Sequence, residues 1–144
     1  MAEVIAVGSD HAGPELKSAI LEFLTARGLG TLDLGVPLGT RVSSYPEIAA
    51  KAVRAVLSGE ARFGILVCGT GIGMSMAAGK AEGIRAANCL NEFMARMARA
   101  HNDANILALG ARVLGSSLAL AVVESFLDTP FEGGRHRERL DLFN

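Results

Sequence analysis

A cysteine followed by glycines at alternate positions is the segment of the sequence best suited to chemistry. Cys68 ends an apolar run, and Gly69, Gly71 and Gly73 follow it. Glycines let the backbone approach a ligand closely, and successive N–H groups at a helix start attract an anion. The same donors favour a thiolate, which is an effective base or nucleophile. The spacing matches neither GxGxxG nor a Walker motif, so we do not expect a nucleotide site.

Two pairs of polar residues could take part in proton transfer. Asp10 and His11 stand side by side after the first apolar run. Proton handling is one interpretation of this pair, and capping of the next helix by Asp10 is the other. His101 and Asn102 stand in a group of polar residues before the last apolar run. A structural histidine and a simple turn are the alternatives there, and we favour a functional role for both residues.

Three arginines are suited to phosphate recognition. Arg135 and Arg139 are four residues apart, so one turn of a helix would present both to the same anion. Arg112 follows the last apolar run. A solvated basic tail is the alternative for the C-terminal pair, but the two glycines before Arg135 favour a built phosphate site.

Short apolar runs alternate with helical patterns, which predicts repeated βαβ units. The strands are too apolar for a sheet that is exposed on one face, so we expect a three-layer αβα sandwich with a five-stranded parallel sheet. Such folds bind ligands beyond the carboxyl ends of the strands. The predicted strands are 4–8, 29–33, 63–68, 85–88 and 106–110. The predicted helices are one from Pro14 that Gly28 stops, then 46–58, 73–80, 91–102, 116–127 and a short one after residue 134.

Length and composition predict one domain, 1–144, that resides in the cytoplasm. The chain has 144 residues, of which 50% are hydrophobic, and a net charge of -1. Without an excess of basic residues, a nucleic-acid partner is not expected. No apolar run is long enough to span a membrane, and no basic leader opens the sequence. The two cysteines show no zinc or disulfide pattern, and we expect Cys89 to be a small buried core residue.

The motifs together resemble those of the ribose-5-phosphate isomerase type B family and its sugar-phosphate isomerase relatives. They follow the family's order along nearly the whole chain. They are GSDHAG at 8–13, YP at 45–46, CGTGIG at 68–73, GIRA at 83–86, HNDAN at 101–105 and GGRH at 133–136.

The resemblance implies an aldose–ketose isomerase that interconverts ribose 5-phosphate and ribulose 5-phosphate through an enediolate. It also implies a flavodoxin-like strand order of 2-1-3-4-5 and a homodimer or tetramer whose active sites are shared between subunits. The expected partner is a small phosphorylated sugar. Neither an organic cofactor nor a metal is expected for the reaction.

The resemblance also implies a role for each candidate residue. Cys68 would be the base, His101 the ring-opening acid and base, and Asp10 the group that moves hydroxyl protons. The remaining positions would bind the substrate. The enediolate would be stabilised by Thr70 and by the amides of Gly69, Gly71, Ile72 and Gly73. The phosphate would be bound by His11, Arg112, Arg135 and Arg139, and the sugar would be contacted by Tyr45 and Asn102.

Two positions depart from the family pattern, which often has Asp where this chain has Ser44 and Asn where it has Gly79. Because Ser44 precedes Tyr45, a tetrose or hexose phosphate stays open as the substrate. A phosphosugar or nucleotide sensor without turnover is a second hypothesis. Thiol redox or acyl-transfer chemistry at Cys68 is a third, which the missing partner cysteine disfavours.

Overall fold

The computed structural model describes residues 3–35 and 44–143, and within them five strands alternate with helices. None of the helices described is both long enough and apolar enough to cross a lipid bilayer. The strands are β1 Val4–Ser9, β2 Gly30–Asp33, β3 Phe63–Cys68, β4 Ala86–Asn88 and β5 Ile106–Gly110. The helices are α1 Pro14–Ala26, α2 Tyr45–Leu57, α3 Ile72–Gly79, α4 Glu92–Ala100, α5 Ser116–Asp128 and α6 Arg135–Leu140.

All pairings in the sheet are parallel, and the strand order is β2-β1-β3-β5-β4. The predicted αβα sandwich with five parallel strands is confirmed, but the predicted order 2-1-3-4-5 is wrong for the last two strands. The physical reason lies in burial. All five residues of β5 are buried between two neighbours, whereas the three residues of β4 are only partly buried. A short, partly exposed strand suits the edge of a sheet.

Alternation along β3 assigns successive side chains to different faces of the sheet. Ile65 and Val67 belong to the core beneath α1, α4 and α5, where Phe126 packs edge to face on Phe63 with ring centroids 5.2 Å apart. Leu66 and Cys68 belong to the core beneath α2 and α3. Because side chains alternate along a strand, the register of β3 points the Cys68 thiol toward the helix that starts just after it.

The register of the central strands also allows a close approach at their carboxyl ends. Cys68 is aligned with Gly110 across the β3–β5 pair. A methyl group at Gly110 would lie 2.6 Å from the backbone oxygen of Thr70. Only glycine therefore leaves room for the segment after Cys68 to cross the end of β5.

We predict that Phe126→Ala lowers the free energy of unfolding by about 3–5 kcal/mol, because it leaves a cavity beside Phe63 in the core. Chemical denaturation measures this change. Ser117→Ala, at an exposed position of the same helix, is the matched control and should shift the value by less than about 0.5 kcal/mol. Equal effects of the two substitutions would contradict the packing described here.

Candidate functional site

The turn after β3 places the Cys68 sulfur against backbone donors. Cys68 is 5% exposed, and its Sγ accepts a hydrogen bond from the Gly71 N–H at 3.1 Å. Gly71 has a φ of 84° and directly precedes α3. A methyl group there would lie 2.4 Å from Asn88 Oδ1. The turn thus requires glycine for both its conformation and its space, and it brings an N–H and a helix start to the thiol.

Asp10 lies beside this turn because β1 and β3 are neighbours. Ser9 is aligned with Val67 in the β1–β3 register, and the Asp10 N–H donates to the Val67 carbonyl at 3.1 Å. The Asp10 side chain is buried, and its Oδ1 accepts the Ala12 N–H at 2.9 Å. The cap of α1 is Gly13, with no side-chain hydrogen bond. Helix capping by Asp10, the alternative interpretation from the sequence, is therefore wrong, while its neighbour His11 is exposed.

Tyr45 and Arg112 border the same turn from two other elements. Tyr45 opens α2, and a methyl group at Gly73 would lie 2.8 Å from its ring. Arg112 follows β5, and its N–H donates to the Gly69 carbonyl at 3.0 Å. A methyl group at Gly69 would lie 3.6 Å from the Arg112 guanidinium. An aromatic ring and a cation therefore flank the glycine turn that begins at Cys68.

Thr70 stands on the exposed side of the turn. Its hydroxyl accepts the Ile72 N–H at 3.2 Å, and its carbonyl accepts the Asn88 side-chain amide at 3.4 Å. Asn88 Oδ1 is buried and has no hydrogen-bond partner within the described residues. The sequence analysis assigned no role to Asn88. Its position at the end of a strand beside the glycine turn was the signal that could have singled it out.

The remaining predicted residues lie at the other edge of the sheet. His101 caps the end of α4 and precedes β5, whereas Arg112 follows β5. A strand of five residues spans roughly 17 Å, so His101 and Asn102 are well removed from the Cys68 thiol of the same chain. Arg135 and Arg139 lie on α6, exposed, and neither forms an ion pair with any residue in 3–35 or 44–143.

His101 is part of a compact group with two residues near the C-terminus. Its ring stacks on that of His136, with centroids 4.2 Å apart and planes 10° from parallel. Glu132 Oε1 lies 3.7 Å from His101 Nε2 and 3.5 Å from His136 Nε2. The Glu132 N–H donates to the Ala100 carbonyl at 3.0 Å. One ligand atom from each of the three residues lies within 4.8 Å of the others, so the group could hold a metal ion.

Asp103 contacts several elements at this edge of the sheet. The sequence analysis treated it only as part of a turn. It has a φ of 45°, and its carboxylate receives Arg85, Arg99 and Arg137 at 3.3, 3.0 and 3.2 Å. These contacts connect the turn before β5 to α4, to α6 and to Arg85, the residue before β4. The spacing of Arg99 and Asp103, four residues apart, is a local signal for one of these contacts, whereas Arg85 and Arg137 are brought in by tertiary structure.

Burial sets the protonation of two groups near these sites. Burial raises the pKa of the Cys89 thiol to about 11, so this cysteine stays protonated at neutral pH, and its predicted place in the core is confirmed. Burial is also the largest cause that lowers the pKa of His136, and the charges of His101 and Arg135 act in the same direction. His136 therefore favours its neutral form.

The structure thus divides the predicted site residues into two groups. Asp10, Cys68, Thr70, Tyr45 and Arg112 lie together at the carboxyl edge, along with the other turn residues and His11. The second group, at the amino edge, is His101, Asn102, Arg135 and Arg139. A single chain does not bring the two groups into contact.

Sequence comparison places the chain among known isomerases. The sequence model of the family described as Ribose/Galactose Isomerase matches residues 5–143. The Escherichia coli protein named ribose-5-phosphate isomerase B is 44% identical over 137 residues, which cover 95% of this chain and 91% of that protein. The Pectobacterium atrosepticum protein named D-erythrulose-4-phosphate isomerase is 42% identical and covers 90% of this chain and 86% of that protein.

Solved structures show the same fold over nearly the whole chain. Ribose-5-phosphate isomerase B from Clostridium thermocellum is 51% identical with a TM-score of 0.94, over 96% of this chain and 93% of that one. The Mycoplasma genitalium ribose-5-phosphate isomerase B structure with bound ribulose-5-phosphate is 38% identical with a TM-score of 0.93, over 99% and 94%. Matched in sequence and in structure along almost its entire length, the chain belongs to the Ribose/Galactose Isomerase family.

Proposed function

We propose that the protein is an aldose–ketose isomerase that interconverts ribose 5-phosphate and ribulose 5-phosphate, using Cys68 as the base. The observation that carries the proposal is the Cys68 sulfur beside the Gly71 N–H, at the sheet edge that also holds Asp10 and Arg112. Two relatives support the choice of substrate, the Escherichia coli enzyme by its name and the Mycoplasma genitalium enzyme by its bound ribulose-5-phosphate. A phosphorylated sugar as substrate also fits the expected cytoplasmic location.

In the proposed reaction, the Cys68 thiolate removes the proton from C2 of the open-chain aldose and returns it to C1. The electron pair of the C2–H bond forms the C1–C2 double bond, and the carbonyl π pair moves onto O1. The negative oxygen of the resulting enediolate would lie near the N–H groups of the glycine turn. Asp10 carries the hydroxyl proton from O2 to O1, so the ketose leaves with all atoms balanced. Thr70 lies on the exposed side of the turn, where its hydroxyl can contact the same oxygens.

Phosphate recognition would hold the sugar in register with the base. Arg112 lies over the turn, and His11 lies at the same edge. Binding energy from a phosphate far from the reacting carbons can be used to orient the chain for proton transfer. Tyr45, whose ring lies against Gly73, would line the sugar between these two ends.

We propose further that each active site is completed by a second copy of the chain. His101, Asn102, Arg135 and Arg139 lie too far from Cys68 in one chain to act on the same substrate, so they would act on the sugar bound at the Cys68 of the partner subunit. Exposed apolar side chains on α3 and α4 support a partner there: Ile72, Met76 and Phe93 are 54%, 68% and 62% exposed. An apolar surface of this kind is typical of an interface.

A different chain length of substrate is the second candidate, because a relative with 42% identity is named D-erythrulose-4-phosphate isomerase. Ser44, which replaces the family's frequent Asp, precedes Tyr45 at the start of α2. It therefore stands close to the side chain proposed to line the sugar. A hexose phosphate also stays within the chemistry of the family.

Cys68→Ala should lower the turnover of ribose 5-phosphate by about 10²–10⁴-fold, because the proposed mechanism assigns removal of the carbon-bound proton to Cys68 and only the hydroxyl proton to Asp10. The measurements are ketose formation and deuterium incorporation at the sugar carbon in D₂O. Cys89→Ala removes the other, buried thiol and should leave turnover near that of the parent protein. Near-parental turnover of a folded Cys68→Ala protein would overturn the base assignment. A parent protein that neither converts nor exchanges the sugar would instead favour a sensor.

Mixing two inactive variants tests the shared site. Cys68→Ala and His101→Asn each disable both sites of a homodimer, but a mixed dimer would contain one site with both native residues. After unfolding and refolding together in equal amounts, the mixture should recover roughly a quarter of parental activity on the cyclic substrate. Mixing Cys68→Ala with Asp10→Asn is the matched control, since both residues belong to one chain's edge, and it should recover nothing. Equal recovery in both mixtures would contradict a site divided between subunits.

The chain length of the substrate is tested with four-, five- and six-carbon aldose phosphates. We expect the largest kcat/KM for ribose 5-phosphate, because the phosphate site and the base are held at a constant separation. A larger kcat/KM for erythrose 4-phosphate would show that the preferred substrate is the tetrose phosphate and not the pentose phosphate. The Ser44→Asp protein shows whether position 44 contributes to the choice among these substrates. Ser58→Asp, at the other end of α2, is the control.

A further inference from the structure

We infer that His101, Glu132 and His136 form a binding site for a divalent transition-metal ion such as Zn²⁺, at the sheet edge opposite the Cys68 of the same chain. Two imidazole nitrogens and one carboxylate oxygen meet within 4.8 Å at the amino edge of the sheet. This ligand set is common in zinc proteins with three protein ligands and an open position. The proposed reaction requires no such ion, so the site would be inhibitory.

The distances between the ligand atoms suit one ion. Glu132 Oε1 lies 3.7 Å from Nε2 of His101 and 3.5 Å from Nε2 of His136. Zinc binds nitrogen and oxygen at about 2.0–2.2 Å in tetrahedral geometry, which places neighbouring ligand atoms roughly 3.4 Å apart. The carboxylate oxygen is therefore almost at the required separation from both nitrogens.

The three side chains come from the end of α4, the segment before α6, and α6 itself; among the residues that the structure describes, none of them is hydrogen-bonded elsewhere through these atoms. His101 lies at the end of α4, His136 in α6, and the Glu132 backbone is hydrogen-bonded to Ala100. Within the described residues, no hydrogen bond occupies Nε2 of either histidine. A carboxylate beside two unoccupied imidazole nitrogens attracts a cation that accepts all three electron pairs.

Binding requires one local adjustment. The two rings are now nearly parallel, so their in-plane lone pairs do not yet converge. His136 is buried and keeps its place, whereas the His101 side chain is 38% exposed and has room to tilt. Glu132 is more exposed than His101 and can follow the ion. Tilting of the exposed ring would bring the three ligand atoms onto one face of the metal.

The consequence for activity rests on the proposed function. A metal on His101 Nε2 would remove the lone pair that exchanges a proton with the ring oxygen of the cyclic sugar. The ion would therefore inhibit turnover of the cyclic substrate more than turnover of the open chain. Cys68, at the opposite edge of its own chain, would keep its contacts with the glycine turn.

Direct binding is tested with Co²⁺, whose visible absorption is intense in tetrahedral sites, followed by displacement with Zn²⁺. The metal-free protein should bind one ion per chain. Glu132→Gln and His136→Asn should each weaken binding at least roughly tenfold. Glu138→Gln, which changes an exposed carboxylate of α6 two residues after His136, is the matched control and should bind as the parent does. Unchanged affinity in the Glu132→Gln and His136→Asn proteins would overturn the site.

The active-site thiol is the main competing ligand, and the Cys68→Ala protein separates the two. It should bind Co²⁺ with parental affinity and without a sulfur-to-cobalt charge-transfer band. Loss of binding in this variant would assign the metal to Cys68 and overturn the proposal. Since this readout does not use turnover, it decides the metal site even if the isomerase assignment fails.

Inhibition provides the second readout. Zn²⁺ should inhibit the parent protein, and Glu132→Gln, compared with its own metal-free turnover, should resist inhibition by at least roughly tenfold in Zn²⁺ concentration. Equal inhibition of the parent and Glu132→Gln proteins would contradict an inhibitory role of the site.

Discussion

The constraint on which the site depends is the parallel pairing of β3 with β5, which aligns Cys68 with Gly110. Because Gly110 has no side chain, the backbone of Thr70 crosses the end of β5, and the turn can fold back until the Gly71 N–H reaches the sulfur. The β1–β3 register places Asp10 beside this turn. Arg112 lies there because it follows β5. A parallel sheet collects the carboxyl ends of its strands at one edge, so residues distant in sequence meet there.

The same parallel direction explains why one chain holds only half of the proposed site. Residues that precede β5 lie at the opposite edge from those that follow it, and no local rearrangement moves His101 past the length of a strand. Three guanidinium groups converge on the Asp103 carboxylate at that edge. Arg135 and Arg139 are exposed there and His101 is partly exposed, so all three are within reach of a second chain.

Two cysteines in one fold illustrate how surroundings decide the chemistry of a side chain. Both are almost fully buried. Burial raises the pKa of Cys89 to about 11, and its Sγ lies 4.0 Å from the Ala87 carbonyl oxygen. The sulfur of Cys68 instead accepts the Gly71 N–H at the start of α3, at 3.1 Å. The difference follows from the residues after each cysteine, since only Cys68 is followed by the glycine turn.

The sequence by itself predicted the strands, the helices and the glycine turn after Cys68, because these depend on local patterns. Apolar runs marked β3 and β5 at their observed bounds, and the glycines after Cys68 predicted a turn at a strand end. The place of the fourth strand was not predictable in this way, since its three residues carry little pattern and the burial of β5 decides the order. The contacts of Asp103 with Arg85 and Arg137, and the stacking of His101 on His136, were also decided by tertiary structure. They join residues that are distant in sequence, and their energies depend on distances that no local spacing encodes.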